Sequence, residues 1–565
     1  MKPLSKIYFF LFLALILSSS CEDFLDPAKD GTLNQEDVWG STRRSFGLLN
    51  NAYNNLIGNY SRISDAMLAA GCDEALHADP ANPIKGFNDG TWSKYNLVEN
   101  VWDNCYEGIR KVNLFLENAD NITLPKRDSN TGTDESIVRT IDRMKGEARF
   151  LRAFFHFELV RRYGGIPVID RTLTKEEARC MERQSIDSCF HFIFNDCDSA
   201  AVRLPGSYLN TVPGFDDTKD VGRATSWAAK ALKARAQLYY ASPLFNPEND
   251  RSRWKDAYLT AEDVIRRGPF SPWQFNSNGN MTNLFVSNST MGLYHKEIIF
   301  STSYTANTTT ERLNVPISYG GKGLTCPTQN LVEAFNDPLF LNRDPRLAMT
   351  VLQNGDLLNI NDRSDSIKTY TGGKDAPESD PSASKTGYYL AKFVKQAAAS
   401  STPPAVWEGR TVNTTKTKIL FRLPEIIYIF AEAYNEYHAA PSNDVYIYLE
   451  RILTRAGVSL SGGALPDMNQ AEMRRFIRKE RQVELAFEEH RFFDIRRWRL
   501  MDDPAEREKY LNIRGQRISI QADGTPNTRI ETVQQRVWDD KMYFYPIPES
   551  EIIASKSLTQ NEGWE

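Results

Sequence analysis

Apolar side chains recur every three to four residues over much of the chain, the spacing that places them on one face of an α-helix. The clearest case predicts a helix over residues 140–163. Its apolar face consists of Met144, Ala148, Leu151, Phe155 and Leu159. Phe150, Phe154 and Phe157 add a second apolar side, so we expect this helix to lie between neighbouring helices. The glycine pair and proline at 164–167 are typical of a helix end.

The same spacing predicts helices elsewhere in two blocks of the chain. These helices cover residues 46–56, 102–116, 223–241, 253–267, 424–438, 443–456 and 471–498. Ala231 and Ala234 are small enough to let a second helix axis approach closely. Helix pairs of this size indicate degenerate tetratricopeptide-like repeats, although no strict 34-residue period is visible. We therefore predict an all-α fold built as a tetratricopeptide-like helix-pair scaffold.

The helical pattern stops between about residues 268 and 420. This stretch is rich in Asn, Thr, Ser and Gly, yet it keeps many aromatic residues. Long irregular segments inside compact proteins are uncommon and usually functional. We predict a leader at 1–20, a helical part at 21–267, a large loop-rich insert at 268–420 that forms part of the ligand-binding half, and a second helical part at 421–565.

The first twenty residues read as a secretory signal. Lys2 and Lys6 precede an uncharged apolar run over residues 7–17, and three serines follow it. Eleven residues cover about 16 Å as a helix, roughly half of a bilayer core. The run is therefore too short to remain as a membrane-spanning helix.

Cys21 directly follows the serines, an arrangement that resembles the lipobox of bacterial lipoproteins. The resemblance implies that Cys21 carries a diacylglycerol and becomes the mature N-terminus; an ordinary signal with a chance cysteine is the alternative. Several acyl chains would anchor the protein stably. Glu22 and Asp23 resemble the surface-export signal of some Gram-negative lipoproteins. We expect attachment to a membrane through the lipid alone.

Composition excludes several classes of function. The formal net charge is −5 and no long basic run occurs, which argues against nucleic-acid binding. Six cysteines besides Cys21 show no CxxC pair, and the six histidines show no HExxH spacing. Serine-nucleophile, phosphate-binding and dinucleotide-binding motifs are also missing from the sequence. We expect binding that needs no metal ion or cofactor.

Glu480 and Glu484 are the best catalytic candidates, because they share a face of the helix predicted at 471–498 with apolar residues. As a glycosidase acid and nucleophile they would have to flank a bond from opposite sides. Carboxylates one turn apart on a helix point the same way. We therefore favour an ion-pair network between stacked helices, with Arg481 and Arg491 as the nearby cations.

A sugar-binding site needs exposed aromatic faces with polar neighbours. Trp92, Tyr95 and Asn96 lie in a Gly/Asn-rich segment of poor helical periodicity, and Asp73 lies upstream of it. The insert offers four aromatic residues with polar flanks: Trp273, Tyr304, Tyr319 and Trp407. For any single one of these residues, a place in the core is the alternative.

Four segments, in order along the chain, resemble the SusD/RagB family of surface nutrient-binding lipoproteins. They read GEARFLRAFFHFELVRRYGGIP at 146–167, ATSWAAKALKAR at 224–235, IRKERQVELAFEEHRFFDIRRW at 477–498, and YPIP at 545–548 with QNEGW at 560–564. The start CEDFLD at 21–26 fits as well. Glu562 departs from the family pattern, which more often has proline there.

This resemblance implies a fold and a function. Family members are all-α scaffolds that cover a SusC-like TonB-dependent barrel in the outer membrane. They capture glycans, or peptides in some members, and are not enzymes. The resemblance thus implies a cell-surface protein that binds oligosaccharides; a peptide-binding member and a surface hydrolase are the alternatives. Asp73 lies in a segment that looks like a family motif.

Overall fold

The computed structural model describes residues 38–122, 134–208, 220, 222–270, 284–285, 296–302, 309–358, 365–394 and 418–565. Helices dominate this part of the chain. They are α1 (Thr42–Tyr53), α2 (Lys85–Asp89), α3 (Trp102–Asn118), α4 (Asp134–Tyr163), α5 (Lys175–Arg179), α6 (Ile186–Arg203), α7 (Ser226–Ala241), α8 (Ser252–Arg267), α9 (Thr309–Asn314), α10 (Gln329–Ala334), α11 (Arg346–Thr350), α12 (Leu423–His438), α13 (Asn443–Arg455), α14 (Gln470–Glu484), α15 (His490–Arg497), α16 (Pro504–Leu511) and α17 (Glu549–Ala554).

The described strands are short and form two-stranded antiparallel sheets. They are β1 (Ala75–His77), β2 (Ile298–Thr302), β3 (Thr325–Pro327), β4 (Val351–Leu352), β5 (Tyr389–Leu390), β6 (Lys418–Arg422), β7 (Asn512–Ile520) and β8 (Pro526–Gln535). The pairs are β1–β3, β2–β6, β4–β5 and β7–β8. Each of these small sheets joins two loop segments. In the described ranges, the helical scaffold is not built on a central sheet.

Each scaffold helix packs on the next in the series α3, α4, α6, α7 and α8, and α8 then packs on α12. Alanines make the contacts close, since α7 buries Ala228, Ala231 and Ala234 completely. Stacked helix pairs of this kind form solenoids in which each unit contacts its neighbours. The all-α, tetratricopeptide-like fold predicted from the sequence is confirmed.

The insert loops out between two helices that are neighbours in space. Helix α8 ends at Arg267 and α12 begins at Leu423, yet they pack against each other. Strand β2 from the early insert pairs with β6, which leads directly into α12. The scaffold therefore continues across the insert as though the intervening residues were absent.

The prediction of one continuous helix over residues 471–498 is wrong, because the structure divides this segment into α14 and α15. Phe487 and Glu489 between them adopt left-handed backbone conformations, with φ of 65° and 69°. The buried Lys392 ammonium donates to the carbonyls of Glu484 and Ala486, at 3.1 and 2.8 Å. A distant side chain thus satisfies carbonyls that the helix end leaves unpaired.

Within the described ranges, no helix combines the length and the apolar character that crossing a bilayer requires. The predicted leader and the lipid site Cys21 lie outside those ranges.

Candidate functional site

The carboxylates of α14 form the ion-pair network that we favoured over catalysis. Glu480 accepts from Arg346 at 2.8 Å, and Glu484 accepts from Arg422 at 2.7 Å and from Arg455. All five side chains are buried. The guanidinium groups hold the pKa of Glu484 far below its usual range against the opposing effect of burial.

The cations of this network are not the ones predicted. Arg481 pairs with Asp494 at 2.8 Å, and Arg491 pairs with Asp73 at 2.7 Å. The break between α14 and α15 redirects Arg491 away from α14. The network therefore joins α14 to the insert, β6 and α13.

Asp73, a predicted ligand contact, lies buried between the N- and C-terminal parts of the chain. Both of its carboxylate oxygens accept from Arg491, at 2.9 and 2.7 Å. Its neighbour Glu74 accepts from the Phe487 amide at 3.2 Å. This arrangement fastens the α14–α15 turn and leaves no charge of Asp73 directed to solvent.

Trp92 is buried as well, with 2% of its surface exposed. Its ring makes edge contacts with Phe87, Tyr545 and Trp564 at centroid distances of 4.8, 5.1 and 4.8 Å. The ring is therefore enclosed by the aromatic residues of the C-terminal motifs. The exposed stacking face expected from the sequence is not found at this position.

Tyr319 is also a core residue rather than an exposed ring. It is 1% exposed and packs in a small cluster with Val315, Leu352 and Val394. Its hydroxyl donates to the carbonyl of Asp365. The other predicted insert contacts, Trp273, Tyr304 and Trp407, lie outside the described residues.

Tyr95 and Asn96 lie at the surface, as expected. Their backbone turns tightly, because the amides and carbonyls of Ser93 and Asn96 bond to each other at 3.1 Å. The Tyr95 side chain is 76% exposed, and its hydroxyl lies 3.4 Å from Glu549 at the start of α17. The turn is thus held beside the C-terminal segment.

Helix α17 also contributes to a cleft of about 570 Å³, which opens between α3, residues 167–181 and residues 551–558. Trp102 and Tyr106 border this cleft, with ring centroids 4.9 Å apart. Trp102 is buried, with 4% of its surface exposed, and Tyr106 is half-buried, so the ring of Tyr106 is the more accessible of the two. Further apolar lining comes from Ile109, Pro167, Leu173, Ala178, Met181 and Leu558. This volume is within the range of small-molecule sites, which are mostly apolar with a few polar groups.

Charged groups surround this aromatic lining. Arg110 and Lys175 are exposed in the lining, and Asp103 and Glu551 contribute carboxylates to it. Burial and the nearby Asp103 carboxylate raise the pKa of Glu551 above its usual value. The cleft therefore offers donors and acceptors around an aromatic surface.

The walls of the cleft are fixed by hydrogen bonds. The Tyr106 hydroxyl donates to the Pro167 carbonyl at 2.8 Å. The carbonyl of Arg179 accepts from the Lys556 amide at 2.7 Å and from the Ser555 hydroxyl at 3.2 Å. Since three separate segments are joined in this way, the cleft is preformed.

Sequence reasoning assigned Trp102 to an apolar helix stripe and did not select Tyr106 at all. Their spacing of four residues places both rings on one side of α3. This side of α3 faces a cleft because residues 167–181 and the C-terminal segment form its other walls, and the spacing within α3 does not reveal that. Among the described residues, no group of His, Cys, Asp or Glu is arranged to hold a metal ion.

Comparison with known proteins gives matches along both halves of the chain. The SusD family model matches residues 296–564, and a family described as "Starch-binding associating with outer membrane" matches residues 23–238. SusD-like protein P25 of Formosa agariphila is 23% identical over 478 residues, covering 82% of this chain and 79% of that protein.

Solved structures agree with these matches. A SusD-like protein from Bacteroides fragilis superposes with a TM-score of 0.74 at 25% identity, covering 94% of this chain and 98% of that one. A SusD-like carbohydrate-binding protein from the same organism gives 0.71 at 22% identity, covering 92% and 99%. The two family models, the relatives and the fold agree with the four sequence motifs: the chain belongs to the SusD/RagB family.

Proposed function

We propose that this protein is a non-catalytic, lipid-anchored protein of the outer-membrane surface that captures oligosaccharides and passes them to a TonB-dependent barrel. The observation that carries this proposal is the preformed cleft beside α3, where the half-buried Tyr106 ring lies against the buried Trp102 and charged groups line the same cleft. Sugars place C–H faces against aromatic rings and hydroxyls against polar groups. Tyr95 and Asn96 are exposed in a turn next to Glu549, at the start of α17, and Glu551 and Ala554 of the same helix line the cleft.

Three further observations support the proposal. The outer-membrane association in the description of the matched family agrees with a lipid anchor at Cys21. A structural relative is described as carbohydrate-binding. The absence of catalysis is supported by Glu480 and Glu484, the best acid and nucleophile candidates, because both are buried against guanidinium groups.

The experiment is calorimetric titration of residues 22–565 with oligosaccharides from starch, laminarin and xylan, and with a mixture of short peptides. We expect a saccharide to bind with modest affinity and no release of reducing ends. Binding of peptides alone would favour the peptide-binding alternative. Release of reducing ends would contradict the non-catalytic assignment.

The cleft is tested with the saccharide that binds best. Tyr106→Ala removes a ring from the lining and should weaken binding about tenfold, whereas Tyr106→Phe keeps the ring and most of the affinity. Tyr446→Ala is the matched control, because Tyr446 is a half-buried tyrosine on α13 whose hydroxyl also bonds to backbone. Equal affinity of Tyr106→Ala and wild type would place the site elsewhere.

Transfer to a barrel is tested separately. We expect the full-length lipoprotein, solubilised from outer membranes, to co-purify with a TonB-dependent barrel. Recovery of the lipoprotein alone would contradict the partnership and leave saccharide capture intact.

A further inference from the structure

The hairpin of β7 and β8 has one edge without a described partner. On one side, β7 bonds to the insert: the Thr371 amide donates to the Ile518 carbonyl, and the Gln516 amide donates to the Thr386 carbonyl, both at 2.8 Å. On the other side, β8 pairs with no second strand among the described residues. Its ten residues are exposed or half-exposed. Proteins usually shorten or block such an edge, because it can pair with another chain.

The ladder determines which groups lie on the free edge of β8. Opposite residues of an antiparallel pair direct their backbone groups either toward each other or both outward. Gln516 and Ile518 direct their backbone N–H and C=O groups to the insert, away from β8. Their partners across the ladder are Ile530 and Thr528. Ile530 and Thr528, and by alternation Thr532, therefore present N–H and C=O groups on the free edge.

The sequence of this edge is complementary to itself. Residues 528–532 read Thr-Arg-Ile-Glu-Thr. When two copies run antiparallel about a two-fold axis at Ile530, each Arg529 lies opposite Glu531 of the other copy. The threonines at 528 and 532 then face each other in the same way. Opposite charges and threonine pairs at directly opposed positions stabilise a sheet.

The backbone pattern agrees with the same register. Ile530 and the threonine pairs would occupy the hydrogen-bonded positions, because their groups already point outward. Arg529 and Glu531 would then occupy the non-hydrogen-bonded positions, where side chains approach more closely. Within one copy, the Arg529 guanidinium donates to Glu531 at 2.6 Å, and Glu531 also pairs with Arg517 at 3.1 Å. The Arg529 side chain is 75% exposed, so its guanidinium has further donors for the Glu531 carboxylate of a second copy.

We propose that two copies of this chain associate through β8, forming a continuous four-stranded antiparallel sheet with its two-fold axis at Ile530. The contact is isologous, so it closes at two copies and does not propagate. It is confined to one strand of each copy, and we expect a weak dimer. The charge complementarity is what favours a second copy over an unrelated strand.

Sedimentation velocity of residues 22–565 tests the register through charge reversal. Wild type should show a concentration-dependent dimer. Arg529→Glu alone and Glu531→Arg alone each place like charges opposite each other and should weaken association at least about tenfold. An equimolar mixture of the two variants restores opposite charges and should form the dimer again.

A disulfide tests the axis. Ile530→Cys places two thiols across the two-fold with Cα atoms about 5.5 Å apart, within the range of a disulfide. Mild oxidation should therefore give a covalent dimer. Ile520→Cys is the control, because Ile520 is exposed on the same hairpin but far from the axis. A wild type that stays monomeric to about 1 mM would overturn the proposal, as would variants that fail to recover on mixing or equal crosslinking of the two cysteines.

Discussion

The α14–α15 segment and the cleft beside α3 contain similar charged side chains, but the two regions place them differently. Around α14, each buried carboxylate forms an ion pair with one or more cations. The single carboxylate of Glu484 pairs with three of them, Arg346, Arg422 and Arg455. At the cleft, Arg110 and Lys175 are exposed and surround aromatic surface. Charges that are buried and paired hold segments together, whereas exposed charges beside a cleft are available to a ligand.

The two regions also differ in how far they overlap with the four sequence motifs. The segment at 477–498 is one of the four family motifs, and it supplies the ion pairs to Arg346 and Lys392 that join the scaffold to the insert. The cleft is assembled from parts of three segments, and its aromatic residues belong to none of the four motifs. The family signature therefore reports the scaffold more than the proposed binding cleft.

The largest expected effect comes from breaking the buried network. Glu484→Gln removes a charge that contacts three buried guanidinium groups and should lower the free energy of unfolding by about 3–5 kcal/mol. Urea denaturation followed by tryptophan fluorescence measures the change. Glu508→Gln, at an exposed position on α16, is the matched control and should stay within about 0.5 kcal/mol. Equal midpoints for the two variants would refute a stabilising role for the network.

A second prediction concerns pH. Burial and the adjacent Asp73 raise the pKa of Glu74 to about 8. Between about pH 4.3 and pH 8, the folded chain keeps a proton that the unfolded chain has lost, so stability falls as pH rises. The slope reaches at most about 1.4 kcal/mol per pH unit for this one group.

Glu74→Gln should flatten that part of the stability profile, because the amide stays neutral and its oxygen still accepts from Phe487. The measurement is the free energy of unfolding from urea titrations at pH 5, 6, 7 and 8. The variant should gain stability over wild type as pH rises. Parallel profiles would show that Glu74 does not keep its proton in the folded state.

A third prediction uses two glycines in helices. A Cβ at Gly108 on α3 would lie 2.5 Å from the Phe155 ring on α4, whereas a Cβ at Gly47 on α1 meets nothing within 4 Å. Gly108→Ala should therefore cost about 1–3 kcal/mol through overpacking. Gly47→Ala should gain about 0.5–1 kcal/mol, because alanine favours the helix. Thermal unfolding of both variants checks this, and a destabilised Gly47→Ala would contradict the exposed position.

The helical scaffold could be predicted from the sequence because its cause is local. The apolar spacing at 140–163 and the alanines at 231 and 234 are visible without any tertiary information. Helix α6 was not predicted, although Ile186, Cys189, Phe190 and Ile193 carry the helical spacing and Ser185 caps its start. The β7–β8 hairpin was also not predicted, although Asp523-Gly524 is a typical turn pair at its tip.

The candidate site was predicted less well, because its geometry depends on residues far apart in sequence. Trp92 looks exposed in a polar, Gly-rich segment, but Tyr545 and Trp564 from the chain end enclose it. Arg491 was paired with the wrong carboxylate because Lys392 and Glu74 stabilise a turn that helical periodicity does not reveal. Tyr95 and Asn96 were expected at the surface because their segment has poor helical periodicity, and the structure has them in a short local turn.

The smallest expected effect on stability sharpens the contrast between the two regions. Arg110 is an exposed residue in the lining of the cleft, so Arg110→Ala should change the free energy of unfolding by less than about 0.5 kcal/mol. Its saccharide affinity should fall by at least about tenfold, because a hydrogen bond from a charged group contributes about 1.5–3 kcal/mol. Arg267→Ala, at the end of α8 and paired with Asp263 at 3.2 Å, should change neither quantity appreciably. Loss of stability without loss of binding in Arg110→Ala would mean that charges at the cleft hold the fold together as those around α14 do, and the distinction between the two regions would fail.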